Sequence, residues 1–352
     1  MPMKNFLKGA DLGKIENLLN TKGKKLLVYH SDVDGICSSA LLLKFFSGFK
    51  SVPREGPVLD EGFMETLLSK KPSLLLFMDI PADQEWRKLL ILKRKLEKMM
   101  IIDHHIVEKD MNSFGVLHIN PRMANKDVYI PASAVVYEIL RSLGYPVKKL
   151  IWIAAAGVIA DYGFEDCGPL LEECERMYPG TLSDKPSPLK LSRIAEMLAA
   201  LITLKGLKGA KLGLDLLTKI ETIRDIRNHK DLKECYQKVR KEIERIMEDF
   251  EKHAEFVPEK NVITYEIKSK LNITSIIATK VTDTYKKEVI MIRKRSKQGW
   301  KISLRCQSGK VNVGDLAKKA SLGLGSGGGH QKSAGALVRD WEKFRRNVLK
   351  QL

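Results

Sequence analysis

Short apolar runs alternate with amphipathic segments over the first 160 residues of the chain. Residues 26–29, 73–78 and 100–102 predict strands, because each is a brief, continuous apolar run. Apolar residues recur at helical spacing in the segments between and after them, which predicts helices at 36–46, 84–99, 132–143 and 150–160. Strands that alternate with helices in this way indicate an α/β domain with a parallel sheet.

Acidic residues and histidines gather where these predicted elements end. In parallel α/β sheets, ligands bind beyond the carboxyl ends of the strands. The sequence therefore predicts a functional site built from these ends. Its candidate residues are His30, Asp32 and Asp34 after the first strand, Asp79 after the second, Asp103, His104 and His105 after the third, and Asp161 after the last helix.

This mixture of carboxylates and imidazoles suits manganese or magnesium better than metals that prefer thiolates. The set is large enough for two ions that share a bridging carboxylate, an arrangement that clamps a phosphoryl centre. Each residue alone has a simpler explanation. An aspartate at a strand end commonly caps the next helix, and His105 alone could be a hydrogen-bonded structural histidine. Their combined occurrence at four successive element ends favours the metal site.

The second half of the chain has a different texture. Residues 189–251 predict helix throughout, after a break rich in Pro, Gly and Ser at 179–188. Strand-like runs at 261–267, 287–293, 299–305 and 334–338, helices at 274–285 and 311–320, and a glycine loop predict a smaller α+β domain. The expected organisation is a catalytic domain at 1–188, a helical connector at 189–255 and a substrate-binding domain at 256–352.

Positive charge is concentrated near the C-terminus. The 352 residues include 61 Lys and Arg against 43 Asp and Glu, and residues 253–352 alone carry a net charge of +13. This excess favours a polyanion such as nucleic acid as partner, although lysine-rich solubility is the simpler alternative. The five scattered cysteines form no CxxC pair, which predicts neither a zinc ribbon nor a disulfide framework. With no apolar run of membrane-spanning length and no signal peptide, a reducing, cytoplasmic location is expected.

The order of motifs resembles the DHH phosphoesterase superfamily. HSDVDG at 30–35, a lone aspartate after an apolar strand, DHH at 103–105 and GVIADYG at 157–163 are similar to its motifs I to IV. LGSGGGHQKSAGA at 324–336 resembles the GGGH signature of the DHH-associated domain. The resemblance covers both ends of the chain and implies a parallel-sheet DHH domain, a C-terminal associated domain and an active site in a cleft between them.

The resemblance implies a role for each candidate residue. His105 would touch the scissile phosphate or protonate the leaving oxygen, and Asp103 would orient a histidine. The metal-ligating roles fall to six side chains: His30 and Asp32 on the first ion, Asp34, His104 and Asp161 on the second, and Asp79 bridging both. The substrate-binding roles in the C-terminal domain fall to Arg305, Gly327, Gly328, Gly329 and His330.

The length of the chain and its excess of basic residues most resemble those of archaeal RecJ-related nucleases. The implied function is a manganese- or magnesium-dependent exonuclease that acts on single-stranded DNA or RNA and releases 5′-mononucleotides. One alternative is a nano-RNase or pAp phosphatase type of hydrolase, acting on short oligonucleotides or cyclic dinucleotides, which has no need of a strongly basic domain. A second alternative is a subunit of a replication complex. Members of that kind usually lose metal ligands, and here every expected acidic position is filled.

Overall fold

The chain divides into two units, Met1–Tyr236 and Gln237–Leu352, in a computed structural model that describes residue 7 and residues 11–56, 59–183, 187 and 189–352. Residues 184–186 and 188, at the end of the break that the sequence indicates, lie outside the described residues. Among the described helices, none combines the length and the apolar character that crossing a membrane requires.

A five-stranded parallel sheet forms the centre of the N-terminal unit. The strands follow the order β2-β1-β3-β4-β5, and every neighbouring pair is parallel. Strand β3 is buried along its whole length, as expected for a continuous apolar run covered on both faces. The strands are β1 (Lys25–His30), β2 (Phe49–Arg54), β3 (Leu74–Met78), β4 (Met99–Ile102) and β5 (Leu117–Ile119).

The strand order reverses between β1 and β3. Strand β2 lies on one side of β1, whereas β3, β4 and β5 follow in sequence on the other side. Ligands of open α/β sheets bind at such a switch point, beyond the carboxyl ends of the strands. The topology therefore gathers the residues that follow β1, β3 and β4 at the place where a binding site is expected.

Helices connect and cover the strands of the N-terminal unit. Helices α2, α5 and α6 are buried along most of their length and pack on one another. Gly157 permits this close approach, because a Cβ at this position would lie 2.3 Å from Ser133 Oγ and 2.7 Å from Asp34 Oδ1. The helices are α1 (Leu12–Leu19), α2 (Val33–Leu43), α3 (Glu61–Ser69), α4 (Trp86–Lys95), α5 (Ala132–Ser142), α6 (Ile151–Ala160) and α7 (Gly168–Met177).

Most of 189–251 is helical, but short breaks interrupt the helix that the sequence predicts throughout. Four helices occupy this region: α8 (Leu191–Lys205), α9 (Leu207–Lys219), α10 (Ile223–Asn228) and α11 (Lys230–His253). Gly206 separates α8 from α9 with φ +56° and ψ −138°, a conformation that glycine adopts readily. Thr222 begins α10 through a capping box with Asp225. The division between the two units falls within α11.

The C-terminal unit is an α+β fold around a six-stranded mixed sheet, as predicted. The order is β10-β11-β9-β8-β7-β6, and among these neighbours only β7 and β8 are parallel. The elements are β6 (Glu255–Val257), β7 (Val262–Glu266), α12 (Thr274–Thr284), β8 (Val289–Ser296), β9 (Gly299–Arg305), α13 (Val313–Ala320), β10 (Gly325–Gly329), β11 (Ser333–Val338) and α14 (Trp341–Gln351).

The glycine segment is a strand rather than the predicted loop. Gly325–Gly329 forms β10, which pairs antiparallel with β11 and packs against α13. Main-chain hydrogen bonds alone hold this strand in the sheet, so a glycine run can form it despite poor strand propensity. A Cβ on Gly327 would lie 2.6 Å from Ala317 O, which explains why the helix can cover the strand so closely.

Candidate metal centre

His30 and Asp32 form the first part of the candidate centre, at the carboxyl end of β1. Asp32 caps α2 by accepting a hydrogen bond from Gly35 N at 2.9 Å, so the simpler capping role is present as well. Its other oxygen lies 2.7 Å from His30 Nδ1. Burial disfavours the charged form of His30, but the Asp32 carboxylate outweighs it and raises the pKa of His30 well above 6.5.

Asp79 lies at the centre of the cluster, directly after β3. Its backbone is in the left-handed region with φ +57°, an uncommon conformation for a residue other than glycine and one that clusters at functional sites. Neither carboxylate oxygen accepts a hydrogen bond, although both are buried. His104 Nε2 lies 3.1 Å from one oxygen, and His30 Nδ1 lies 3.6 Å from the other. Burial and the charge of Asp32 raise the pKa of Asp79 to about 7.

Asp34 lies in the first turn of α2 and faces the beginning of α5. Its carboxylate accepts hydrogen bonds from Ala132 N at 2.6 Å and Ser133 N at 3.0 Å. These donors belong to the N-terminal turn of α5, where the helix dipole favours an anion. Burial, followed by the negative charge of Asp79, nevertheless raises the pKa of Asp34 well above 3.8.

Asp161 brings the end of α6 to the same place. Its Oδ2 atom lies 3.4 Å from His104 Nε2 and accepts a hydrogen bond from the Tyr129 hydroxyl at 2.7 Å. Burial raises the pKa of Asp161 to about 6. Sequence reasoning missed Tyr129, because it lies in a loop 32 residues before Asp161 and no motif spacing connects the two.

Asp103 and His105 form a hydrogen-bonded pair beside the cluster. His105 Nδ1 lies 2.8 Å from Asp103 Oδ1, and Asp103 is fully buried. Burial lowers the pKa of His105, but the Asp103 carboxylate outweighs it and raises that pKa to about 9. The Asp103 pKa is held below 3.8, because the hydrogen bond from His105 outweighs the effect of burial. Asp103 thus holds the His105 ring by a hydrogen bond and favours its charged form.

Asn120 and Arg122 hold the DHH segment in place, a role that sequence reasoning did not assign to them. Asn120 Nδ2 donates to His105 O at 3.0 Å, and Arg122 Nε donates to His104 O at 3.0 Å. Both contacts are to main-chain oxygens and thus leave the histidine rings available for other partners. Outer contacts of this kind commonly fix the orientation of metal-binding side chains.

Three groups of donor atoms lie close enough to hold metal ions. Within each group, one atom from every residue lies within 4.8 Å of the others. Asp79 belongs to the group with His30 and Asp32 and to the group with His104 and His105, whereas the group of Asp34, His104 and Asp161 does not include it. The groups are His30, Asp32 and Asp79; Asp79, His104 and His105; and Asp34, His104 and Asp161.

This donor set fits divalent cations such as manganese or magnesium. Carboxylate oxygens and imidazole nitrogens are their usual protein ligands. The buried oxygens of Asp79 have no hydrogen-bond donor, and buried polar atoms normally have a partner. Packing several buried carboxylates together also raises their pKa values, a cost that cations between them would remove.

Two sequence families match the chain, one on each side of the central helices. Residues 24–160 match the N-terminal domain of the DHH family, and residues 259–351 match the DHHA1 domain. The chain belongs to the DHH family. The resemblance inferred from the sequence motifs is thereby confirmed. No curated protein matches the chain in sequence.

Solved structures share the two-domain DHH fold at low sequence identity. Exonuclease RecJ bound to manganese has a TM-score of 0.72 at 16% identity, over 100% of this chain and 94% of that one. CDC45 from Entamoeba histolytica has a TM-score of 0.65 at 12% identity, over 99% of each chain. The pGpG-specific phosphodiesterase PggH from Vibrio cholerae has a TM-score of 0.53 at 14% identity, over 94% and 98%. At these identities the similarity establishes the fold.

Family and site together define the type of enzyme. As a DHH protein with the carboxylates and imidazoles in place, the chain is a hydrolase that acts on phosphoester bonds and depends on a divalent metal.

The DHHA1 domain brings Arg305 and His330 to one end of its sheet. Arg305 ends β9 and pairs with Ser333, the first residue of β11, and His330 N donates to Ser333 O at 2.8 Å. The Arg305 guanidinium donates to Ser275 Oγ at 2.6 Å and Ser303 Oγ at 3.0 Å. Its orientation is therefore fixed by the domain, and its role toward substrate stays a prediction.

The three glycines expected to bind substrate differ in their surroundings. A Cβ at Gly327 would meet Ala317 O, and one at Gly329, which has φ +147°, would lie 2.5 Å from Ser333 O. Gly328 has no such neighbour, because nothing lies within 4 Å of its ideal Cβ position. Packing thus explains the glycines at 327 and 329, whereas open space lies beside Gly328.

The basic run at 293–297 is partly structural. It lies on the hairpin of β8 and β9, in which Ser296 pairs with Gly299. Arg293 binds Glu266 at 3.0 Å and its guanidinium lies 4.4 Å from the ring centroid of Trp341. Lys294 Nζ donates to a main-chain oxygen at 2.6 Å. A surface that follows a nucleic-acid backbone would therefore use the exposed members of the run.

Proposed function

We propose that the protein is an exonuclease that hydrolyses single-stranded DNA or RNA from an end and releases 5′-mononucleotides. The observation that carries the proposal is Asp79, a buried carboxylate that accepts no hydrogen bond, lies against the imidazoles of His104 and His30, and belongs to two of the donor groups. A shared carboxylate is the arrangement that places two divalent cations on one phosphoryl centre.

The six predicted ligands, His30, Asp32, Asp34, Asp79, His104 and Asp161, would hold two manganese or magnesium ions. The ions would supply Lewis acidity at the scissile phosphate and a water of lowered pKa. The chain itself fixes the ligands: Tyr129 orients Asp161, and the first turn of α5 orients Asp34.

His105 is the general acid of the proposed reaction. Its Nδ1 atom is held by Asp103, whose carboxylate raises the pKa of His105 and so favours the protonated ring. The other ring nitrogen, Nε2, can therefore give its proton to the leaving oxygen as the bond between phosphorus and that oxygen breaks. Release of a 5′-mononucleotide leaves the 3′-oxygen as the group that takes this proton, while the oxygen of water remains on the phosphate.

Charge favours a long strand over a small substrate. The net charge of +13 on residues 253–352 suits a polyanion whose phosphates extend beyond the reacting one. The sharing of this fold with a pGpG-specific phosphodiesterase supports hydrolysis of short oligonucleotides, pAp or dinucleotides as the second candidate. The third candidate is a subunit that works beside replication or repair proteins, on the fold that this chain shares with CDC45.

The decisive experiment is digestion of end-labelled single strands, DNA and RNA in parallel, with manganese. Dinucleotides and pAp serve as short substrates, and the Asp79→Asn variant serves as the inactive control. The expected result is progressive loss of the long strands with release of mononucleotides by the wild type alone. Turnover of only the short compounds would support the second candidate. Equal activity of the Asp79→Asn variant would show that the hydrolysis does not come from this centre.

A further inference from the structure

Two exposed aromatic side chains follow the candidate metal ligand Asp161. Tyr162 is 69% exposed and Phe164 is 48% exposed. Their ring centroids lie 6.2 Å apart with an angle of 72° between the planes. The two rings, called here the aromatic pair, therefore contact each other edge to face while much of each remains in solvent.

Tyr162 occupies a backbone conformation that its side chain does not favour. Helix α6 ends in a tight turn, in which Gly163 N donates to Val158 O at 2.9 Å and Tyr162 has φ +58°. Glycine or asparagine is the usual residue at this position of a helix end. A bulky residue that is strained here and mostly exposed is explained neither by backbone preference nor by core packing, and such outliers cluster at functional sites.

The turn that carries the aromatic pair is fixed to the metal centre. A Cβ on Gly163 would lie 2.6 Å from the Pro131 ring, so the turn packs tightly against the residues before α5. Tyr129 N donates to Asp166 Oδ2 at 2.8 Å, and the Tyr129 hydroxyl holds Asp161. The backbone that carries the rings therefore keeps a defined position relative to Asp161.

We propose that Tyr162 and Phe164 bind a nucleobase beside the scissile phosphate by stacking. The inference rests on the proposed function and specifies its substrate: a strand whose bases are unstacked and free to leave their neighbours. Stacking on an aromatic ring tolerates every base, because each base has a π-face. The aromatic pair thus selects single strands without selecting a sequence.

Two aromatic residues of the C-terminal unit, Trp300 and Phe344, are less suitable for stacking. Phe344 is completely buried in the core of that unit. Trp300 packs at the edge of the same core, with the guanidinium groups of Arg293 and Arg295 5.2 and 5.0 Å from its ring centroid. Neither presents an open ring face comparable to that of Tyr162.

The test compares the full-length wild type with three variants in the presence of manganese. Tyr162→Gly removes the ring and suits the backbone conformation, Tyr162→Phe keeps the ring, and Phe164→Leu replaces the second ring by an apolar side chain. The substrates are a single strand with all its bases and matched strands that carry an abasic residue at either nucleotide flanking the scissile phosphate.

For the wild type, an abasic residue at one of the two nucleotides that flank the scissile phosphate is expected to raise the KM about tenfold over that of the intact strand. Tyr162→Gly should raise the KM for the intact strand by a similar factor with little change in kcat, yet leave the KM for that abasic strand unchanged. Tyr162→Phe should behave as the wild type, and Phe164→Leu should lie between them.

Two outcomes would overturn the inference while leaving the exonuclease intact. In the first, the wild type cleaves intact and abasic strands with equal KM. In the second, Tyr162→Gly raises the KM by the same factor for the intact strand and for the abasic strand. Hydrolysis of neither strand by the wild type would overturn the proposed function and the stacking role with it.

Discussion

Replacing Asp79 by asparagine is expected to stabilise the metal-free protein while it removes activity. Asp79 is 1% exposed, and its pKa is raised to about 7 from an ordinary value of 3.8. At 1.4 kcal/mol per pKa unit, ionising this carboxyl in the folded chain costs about 4 kcal/mol relative to the unfolded chain. Asparagine has nearly the same shape, tolerates positive φ and carries no charge.

The extra stability of the metal-free Asp79→Asn variant depends on pH, in a direction that follows from the raised pKa of Asp79. Between about pH 4 and pH 7 the folded metal-free protein binds more protons at Asp79 than the unfolded chain does, so its stability falls as the pH rises. At pH 8 the free energy of unfolding of the metal-free variant should therefore exceed that of the wild type by most of the 4 kcal/mol. This difference should shrink towards pH 4.

Thermal unfolding in EDTA at pH 8 and pH 5 measures this difference. About 4 kcal/mol corresponds to a rise in Tm of roughly 10 °C for a unit of this size. Added manganese should reverse the order, because it stabilises only the protein that binds it. Asp103→Asn is the matched control with the opposite sign, since the pKa of Asp103 is lowered and its charge stabilises the fold. An Asp79→Asn variant less stable than wild type in EDTA at pH 8 would refute the reasoning.

Three further predictions concern single contacts. Tyr129→Phe removes the hydroxyl that holds a ligand carboxylate and should weaken manganese binding about tenfold in calorimetry, whereas unchanged affinity would contradict that role. Gly157→Ala forces a Cβ into the helix contact beside the site and should lower both Tm and manganese affinity; a variant with both unchanged would contradict the packing argument. Arg295→Ser with Lys297→Ser should reduce the salt slope of single-strand binding by about 1.4, whereas Arg293→Ser should mainly lower Tm, and the reverse pattern would place the strand elsewhere.

The sheet and the position of the site could be predicted because they depend on local signals. Short apolar runs define β1, β3 and β4, and the polar residues after them must lie together once the strands are parallel. Asp79 illustrates the limit of this reasoning. Its place after a strand is visible in the sequence, whereas its positive φ and its unpartnered oxygens depend on the surrounding fold.

The failures come from features without a local signature. The breaks within 189–251 occur in sequences of good helical spacing, where Gly206 and the Thr222 cap outweigh that pattern. Strand β10 has no apolar alternation, because its neighbours, rather than its side chains, hold it in the sheet. The structural role of Arg293 requires the parallel pairing of β7 with β8, which places Glu266 opposite it.

In the glycine strand β10, a glycine that is required for folding can be distinguished from one that is required for substrate binding. At Gly325, Gly327 and Gly329 a methyl group would collide with main-chain oxygens, so every substitution should be rejected for folding alone. At Gly328 nothing occupies that space, and an alanine should fold. In a library of all single substitutions scored for both abundance and activity, Gly328 is then the one position of the four where intolerance would report on a bound substrate.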